Sequence, residues 1–145
     1  MRKGRVRRWG LTLAVAMALG AGCAQMKAAA PAPESLPPAR TLQSADLAGL
    51  AGEWEGMLTG AGLGAQSGGR ANVRVTVAPD GAFTATVDGQ PGLGKARIQD
   101  GNVVFEGSTT RGTATLYEGG GRRVLRGQGT FVGIDGESVF EVTKR

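Results

Sequence analysis

The stretch ANVRVTVAPDGAFTATV, residues 71–87, decides the fold of this chain. Small and apolar residues alternate with polar ones on both sides of 78–81, where Ala-Pro-Asp-Gly is typical of a type I turn with glycine at the bulge position. A period of two indicates strands with one buried face, so the stretch predicts an antiparallel hairpin. Its register places Val77 opposite Phe83, Val75 opposite Ala85, and Val73 opposite Val87.

Three further strand pairs are predicted downstream. Asp100-Gly101 is a strong two-residue turn signal, and Asp135-Gly136 is a second one near the end of the chain. The first turn pairs Ile98 with Val103, Ala96 with Phe105, and Lys95 with Glu106. The second pairs Phe131 with Phe140 and Gly129 with Val142. Between them, residues 111–117 and 122–128 pair across Gly119-Gly120-Gly121 with Ala114 and Leu116 inward, and the adjacent Val124 and Leu125 leave that register open.

Upstream, Trp54, Gly56 and Leu58 alternate with Glu53, Glu55 and Met57 and predict a first strand, which a glycine-rich loop over 59–69 follows. Ser44 is expected to cap a short helical turn before it. After Gly52 no segment has helical periodicity. The fold class is therefore all-β: a small antiparallel up-and-down barrel of about eight strands, because closure removes the exposed edges. The predicted core contains Trp54, Leu58, Val73, Val75, Val77, Phe83, Ala85, Val87, Ala96, Ile98, Val103, Phe105, Leu116, Phe131, Phe140 and Val142.

The first 23 residues predict export. Five basic residues precede the apolar run 11–19, and small residues then lead to Cys23, the only cysteine. The run is too short to span a bilayer but suits a secretory signal. The pattern resembles the lipobox of bacterial lipoproteins, which implies that Cys23 becomes an acylated N-terminus carrying chains such as palmitate. Ala24 after it implies the outer membrane, facing the periplasm. The alternative is an ordinary small residue at the end of a signal peptide.

Composition supports one neutral exported domain. The formal charge is +5, from 17 basic and 12 acidic residues, but five of the basic residues lie before the apolar run. The rest of the chain therefore has 12 basic and 12 acidic residues and no net charge. The charge therefore gives no reason to expect a nucleic-acid partner. Four prolines within 31–38 deny the linker a stable helix. We expect a signal peptide at 1–22, a disordered, lipid-anchored Ala/Pro tether at 23–48 and the barrel at 49–145.

Two glycine motifs imitate nucleotide-binding loops. Residues 89–95 have the spacing of a Walker A loop, but Ala96 follows Lys95 where Ser or Thr is needed, and a strand pattern replaces the helix. Residues 60–65 match the glycine spacing of a dinucleotide-binding motif, but that motif requires a helix to follow, and Gln-Ser-Gly-Gly at 66–69 is unfavourable for one. We expect a glycine-rich turn between hairpins and a loop at the barrel mouth, respectively, with no nucleotide and no cofactor.

Neither catalysis nor metal binding is expected. The chain has no histidine, and the acids are spread over strand faces and turns. Arg122, Arg123 and Arg126 form a small basic cluster that could contact lipid headgroups or an acidic partner, or simply pair with Glu118.

The segment 46–54 ends in Gly52-Glu53-Trp54. It resembles the entry to a lipocalin-type barrel, in which a helical turn precedes Gly-x-Trp and a long first loop follows. The layout also resembles lipoproteins with a small protease-inhibitor barrel, although their internal disulfide is absent here. The resemblance implies a noncatalytic envelope lipoprotein that holds a small apolar ligand near the barrel base and its lid; the candidate site residues are Trp54, Leu58, Leu63, Phe83 and Phe105. The alternative is a protein–protein module, either a hydrolase inhibitor or an envelope scaffold, with a packed barrel.

Overall fold

Eight consecutive strands pair antiparallel, each with the next, and the last also pairs with the first, so the sheet closes into an up-and-down barrel. The computed structural model describes residues 35–60, 62–63, 69–131 and 133–145. The strands are β1 (Ala39–Arg40), β2 (Gly52–Thr59), β3 (Arg70–Val77), β4 (Ala82–Val87), β5 (Gln90–Gln99), β6 (Asn102–Gly107), β7 (Arg111–Gly119), β8 (Arg122–Thr130) and β9 (Ser138–Lys144). Strands β2 to β9 close the barrel, and the two-residue β1 extends the sheet by pairing with β7 beyond the residues that pair with β6.

The predicted fold class is confirmed, and two predicted hairpins have the predicted residue partners: Val75 lies opposite Ala85, and Ala96 lies opposite Phe105. The predicted pairing of 111–117 with 122–128 also forms, with Tyr117 opposite Val124. The turn residues explain why these registers could be predicted, because Gly81, Asp100 and Gly101 all have the positive φ that such turns require. Leu125 pairs with Leu116 inside the barrel, which settles the register that the sequence left open.

The predicted register of the last hairpin is wrong. Gly129 lies opposite Ser138 rather than Val142, and Phe140 lies opposite Gly127 rather than Phe131. The connection runs from Phe131 to Glu137 and is not a tight turn at 135–136. Side-chain packing explains the offset, because a Phe140 ring opposite a glycine fits a narrow lumen better than two opposed phenylalanines.

The Walker-like stretch is also structured differently from the prediction. Only Asp88 and Gly89 form a turn, both with positive φ, and Gln90–Gln99 is a single strand. No helix begins at Lys95, so no helix N-terminus is available there for a phosphate.

Three of the four core phenylalanines face a glycine on the neighbouring strand. Phe83 lies opposite Gly94, Phe105 opposite Gly112, and Phe140 opposite Gly127. The approach is close: a Cβ built on Gly94 would lie 2.7 Å from the Phe83 ring. Alternation of large and small residues around the wall lets the rings occupy a small barrel.

The residues before β2 pack against the barrel. The 3-10 helix Ser44–Leu50 begins after Gln43, not at a Ser44 cap, and the Asp46 carboxylate accepts a hydrogen bond of 2.8 Å from the Gln43 amide. Leu42 and Leu50 are buried in the core. The compact unit starts at Ser35, so residues 35–48, which the sequence assigned to the tether, lie on the barrel. The predictions for the signal peptide 1–22, Cys23 and the tether to residue 34 concern residues outside the described ranges.

Candidate functional site

Four phenylalanine rings fill the barrel interior in an edge-to-face chain. Ring centroids lie 5.2 Å apart for Phe83 and Phe105, 6.2 Å for Phe105 and Phe140, and 5.5 Å for Phe140 and Phe131. The cavity between these rings has a volume of about 10 Å³. That is room for roughly one water molecule, whereas pockets for small ligands enclose about 300–1,000 Å³. The candidate residues Phe83 and Phe105 are therefore brought together as core.

The base of the barrel is closed by Trp54 and the 3-10 helix. Trp54 is fully buried, and its indole Nε1 donates a hydrogen bond of 2.9 Å to the Leu50 carbonyl. The Arg123 guanidinium lies 5.9 Å from the indole centroid, and the Lys144 ammonium lies 5.8 Å from it. Both cations also donate to the Gly49 carbonyl, at 2.7 and 3.1 Å. This arrangement binds the helix to the barrel end and leaves no opening beside the indole.

Electrostatics at the base follow from this crowding. Partial burial, with repulsion from Arg123, lowers the pKa of the Lys144 ammonium below its ordinary value. A hydrogen bond from Arg40 on β1 lowers the pKa of Glu118, which Arg123 also approaches to 3.3 Å. The predicted basic cluster is therefore divided between two faces: Arg123 points to the base, and Arg126 lies on the outer wall beside Glu141. The role of Lys144 was missed, although its alternation with the buried Val142 indicates an inward position.

At the opposite end, the mouth, the described parts of two loops contact each other. Leu63 is buried there, and Leu58 lies fully buried in the core. A Cβ on Gly62 would lie 1.8 Å from the Asp135 carbonyl oxygen, so the described part of the first loop contacts the β8–β9 connection directly. The predicted lid residue Leu63 therefore packs against the core.

Two hydroxyl groups near the mouth are buried without a hydrogen-bond partner among the described residues: Thr110 Oγ1 and Ser138 Oγ. The Thr110 hydroxyl lies against the backbone of Gly92, where a Cβ would come within 2.4 Å of it. The small cavity nearby is lined by apolar atoms, so these hydroxyls do not form a polar pocket.

The outer wall carries the exposed apolar side chains. Met57 and Val139 are 41% and 46% exposed and lie on adjacent strands, and Leu93 is 63% exposed on β5. Met57 separates two open grooves: one of about 640 Å³ toward β3 and β4, and one of about 270 Å³ toward β9 and β8. The outer wall therefore offers more room for a partner than the lumen does.

The described ranges contain no cluster of three or more side chains that could hold a metal ion. Their acids lie mostly in ion pairs on the surface, for example Glu55 with Arg74 and Arg145, and Glu106 with Arg97. Within those same ranges no helix is both long and apolar enough to cross a membrane.

Comparison of the chain with protein-family models, with curated proteins and with solved structures finds no match.

Proposed function

We propose that this protein is a noncatalytic, lipid-anchored envelope module whose packed barrel acts through its outer surface on another protein, as a hydrolase inhibitor or a scaffold. The observation that carries the proposal is the filled lumen. Four phenylalanines, three of which face a glycine, leave a cavity of about 10 Å³, so a small apolar ligand would have to displace at least one ring. Of the two roles that the sequence suggested, the protein–protein role needs no such displacement.

The anchor in this proposal is an acylated Cys23, held in the outer membrane and facing the periplasm. The sequence pattern before Cys23 supports it. The closed barrel and the helix before Trp54 support the resemblance to lipocalins in architecture. The chain also reaches the barrel at its base, because the Pro38 carbonyl accepts a hydrogen bond of 3.1 Å from the Glu118 amide. An anchor upstream would leave the mouth and the outer wall free for a partner.

Native mass spectrometry of the chain from Ala24 to Arg145, which contains every strand of the barrel, tests the packed module. We expect the bare polypeptide mass after mild purification from a periplasm. A mass excess that disappears on denaturation would contradict the proposal and favour a captured small ligand.

The anchor is tested separately on the full-length chain. The mature protein is expected to begin at Cys23 with added acyl mass and to fractionate with membranes, whereas Cys23→Ser is expected in the soluble fraction. A mature mass that begins elsewhere would refute lipid anchoring without affecting the barrel.

A further inference from the structure

The groove beside Met57 has the composition of a protein-docking surface. We define the wall groove by the residues that line it with their side chains: Met57, Thr59, Arg70, Arg126, Val139 and Glu141. It has a volume of about 270 Å³ and crosses four strands, from β8 through β9 and β2 to β3. Its floor is apolar, because Met57 and Val139 lie diagonally across the β2–β9 pair. An exposed apolar pair rimmed by charges is typical of an interaction site.

The charges in the groove are not balanced. It holds two arginines and one glutamate. Arg70 makes no ion pair with any described residue, and Arg126 reaches Glu141 only at 3.9 Å, with both side chains about half exposed. In contrast, Arg74 next to the groove is paired with Glu55. The groove therefore has an unused guanidinium, whose planar donors suit a carboxylate.

The spacing of these groups defines the partner. Val139 lies opposite Thr59, and Thr59 lies opposite Arg70, so two strand spacings, roughly 10 Å, separate the apolar floor from the guanidinium's strand. In an extended segment, side chains i and i+2 lie on one face about 7 Å apart, and the length of the arginine covers the remainder. We propose that the wall groove docks an extended protein segment that carries an apolar side chain followed two residues later by a carboxylate. This inference rests on the proposed protein–protein role.

Two other occupants are less consistent with the groove. A second copy using the same face would place a net charge of +1 against another of +1, because each groove holds two arginines and one glutamate. An anionic bilayer attracts surfaces with clusters of about four to eight basic residues, whereas here the excess is one. Of the residues that the structure describes before β2, Pro38 contacts the barrel at its base, beside Glu118.

Binding of a defined peptide tests the inference. The probe is the blocked heptapeptide Thr-Ser-Leu-Thr-Asp-Ser-Thr, added at millimolar concentration to the ¹⁵N-labelled chain from Ala24 to Arg145. We expect amide shift changes in β2, β9 and the start of β3. Replacement of its Asp by Lys, or of its Leu by Ser, is expected to abolish them. Absence of shifts, shifts elsewhere, or equal shifts with the Lys peptide would overturn the inference.

Protein variants supply the matched control. Val139→Thr keeps the shape of the side chain and its preference for strands but makes the floor polar, and Arg70→Gln removes the charge. Each substitution is expected to raise the dissociation constant of the peptide by about two- to fivefold, which is the range for the loss of a single exposed contact. Leu93→Thr removes an equally exposed apolar side chain on another wall and is expected to leave binding unchanged. Self-association in these spectra, or broadening by anionic vesicles that Val139→Thr relieves, would assign the groove to the other occupants and overturn the proposal.

A photo-crosslinking amino acid in the full-length protein separates this inference from the proposed function. A crosslink from position 139 that Arg70→Gln removes would support the wall groove. Crosslinks from position 93 alone would retain the protein–protein role but reject this surface. No crosslink from any exposed position would count against the protein–protein role itself.

Discussion

Trp54 connects the barrel to the helix that closes it. Its ring fills the base, and its only polar atom is satisfied by the Leu50 carbonyl at 2.9 Å. Arg123 and Lys144 lie close to the ring and hold the Gly49 carbonyl, so removal of the indole would disturb helix and barrel together. The sequence alone identified Trp54 as a base residue, but it did not show that two cations share that end, because the β8–β9 register depends on packing.

Trp54→Phe tests this connection. The smaller ring cannot donate to Leu50, so a buried carbonyl loses its partner, and we expect the free energy of unfolding to fall by about 2–4 kcal/mol. Urea unfolding followed by far-ultraviolet circular dichroism measures the change. Glu53→Gln, an exposed neighbour on the same strand, is the control and should stay within about 0.5 kcal/mol of the wild type. A Trp54→Phe protein as stable as this control would show that the indole hydrogen bond contributes nothing.

Strand pairing shows which features of the sequence determine register. The turns at 78–81 and 100–101 were predicted with their register, because a turn residue with positive φ leaves few ways to connect two strands. Asp135-Gly136 is the same dipeptide as Asp100-Gly101, but it lies within a longer connection. The register is set there by Phe140, which lies opposite Gly127. Such pairing of large and small side chains is a three-dimensional property, so turn chemistry could not predict it. Strand β1 was missed for a related reason, since two residues carry no periodicity.

Gly127 tests the role of the strand glycines. A Cβ there would lie 2.0 Å from the Thr113 carbonyl oxygen and 2.7 Å from the Ala114 Cα, so strands β7 and β8 would have to separate. We expect Gly127→Ala to lower the free energy of unfolding by about 1–3 kcal/mol or more, as overpacking does. Gly49→Ala is the control, because its Cβ would meet only Arg123 Nη2, at 4.0 Å. Equal stabilities of the two variants would show that the wall adjusts to a methyl group at no cost.

The attachment of β1 should depend on pH through Glu118. The hydrogen bond from Arg40 holds the pKa of Glu118 in the folded protein below its ordinary 4.5. A carboxylate with a lowered folded pKa contributes stability above its unfolded pKa, and that contribution is lost as the pH falls through the folded pKa. Acid should therefore loosen the segment 39–42.

Hydrogen exchange at the Leu42 amide, which donates to Gly101 O at 3.0 Å, measures this loosening. After correction for the intrinsic exchange rate, protection should fall about two- to fivefold as the pH drops from above 4.5 to well below it. Glu118→Gln should begin at the lower protection and change less with pH, while the amide of Val75 in the barrel stays protected in both proteins. A Leu42 protection that is the same in both proteins at every pH would contradict the role of Glu118.

The molecule as a whole has two different ends. The chain arrives at the base, where Pro37 and Pro38 contact the position of Gly119, and the mouth with its two loops lies at the other end. With Cys23 as the anchor, eleven residues lie between it and Ser35, and they can span at most about 42 Å when fully extended. The base should therefore face the bilayer, with the mouth directed away from it.

Fluorescence quenching from a lipid headgroup can measure that orientation. Pro79→Cys places a label in a base turn, and Thr109→Cys places one in the β6–β7 connection at the mouth; both positions are exposed. In vesicles that hold the acylated protein, we expect stronger quenching at 79 than at 109, because the chain that leads to the anchor enters the barrel at the base. The same labels on Cys23→Ser should show no quenching at either position. Stronger quenching at 109 would mean that the barrel lies inverted on the membrane, with its mouth against the lipid, and the wall groove would then have to be reached from the side.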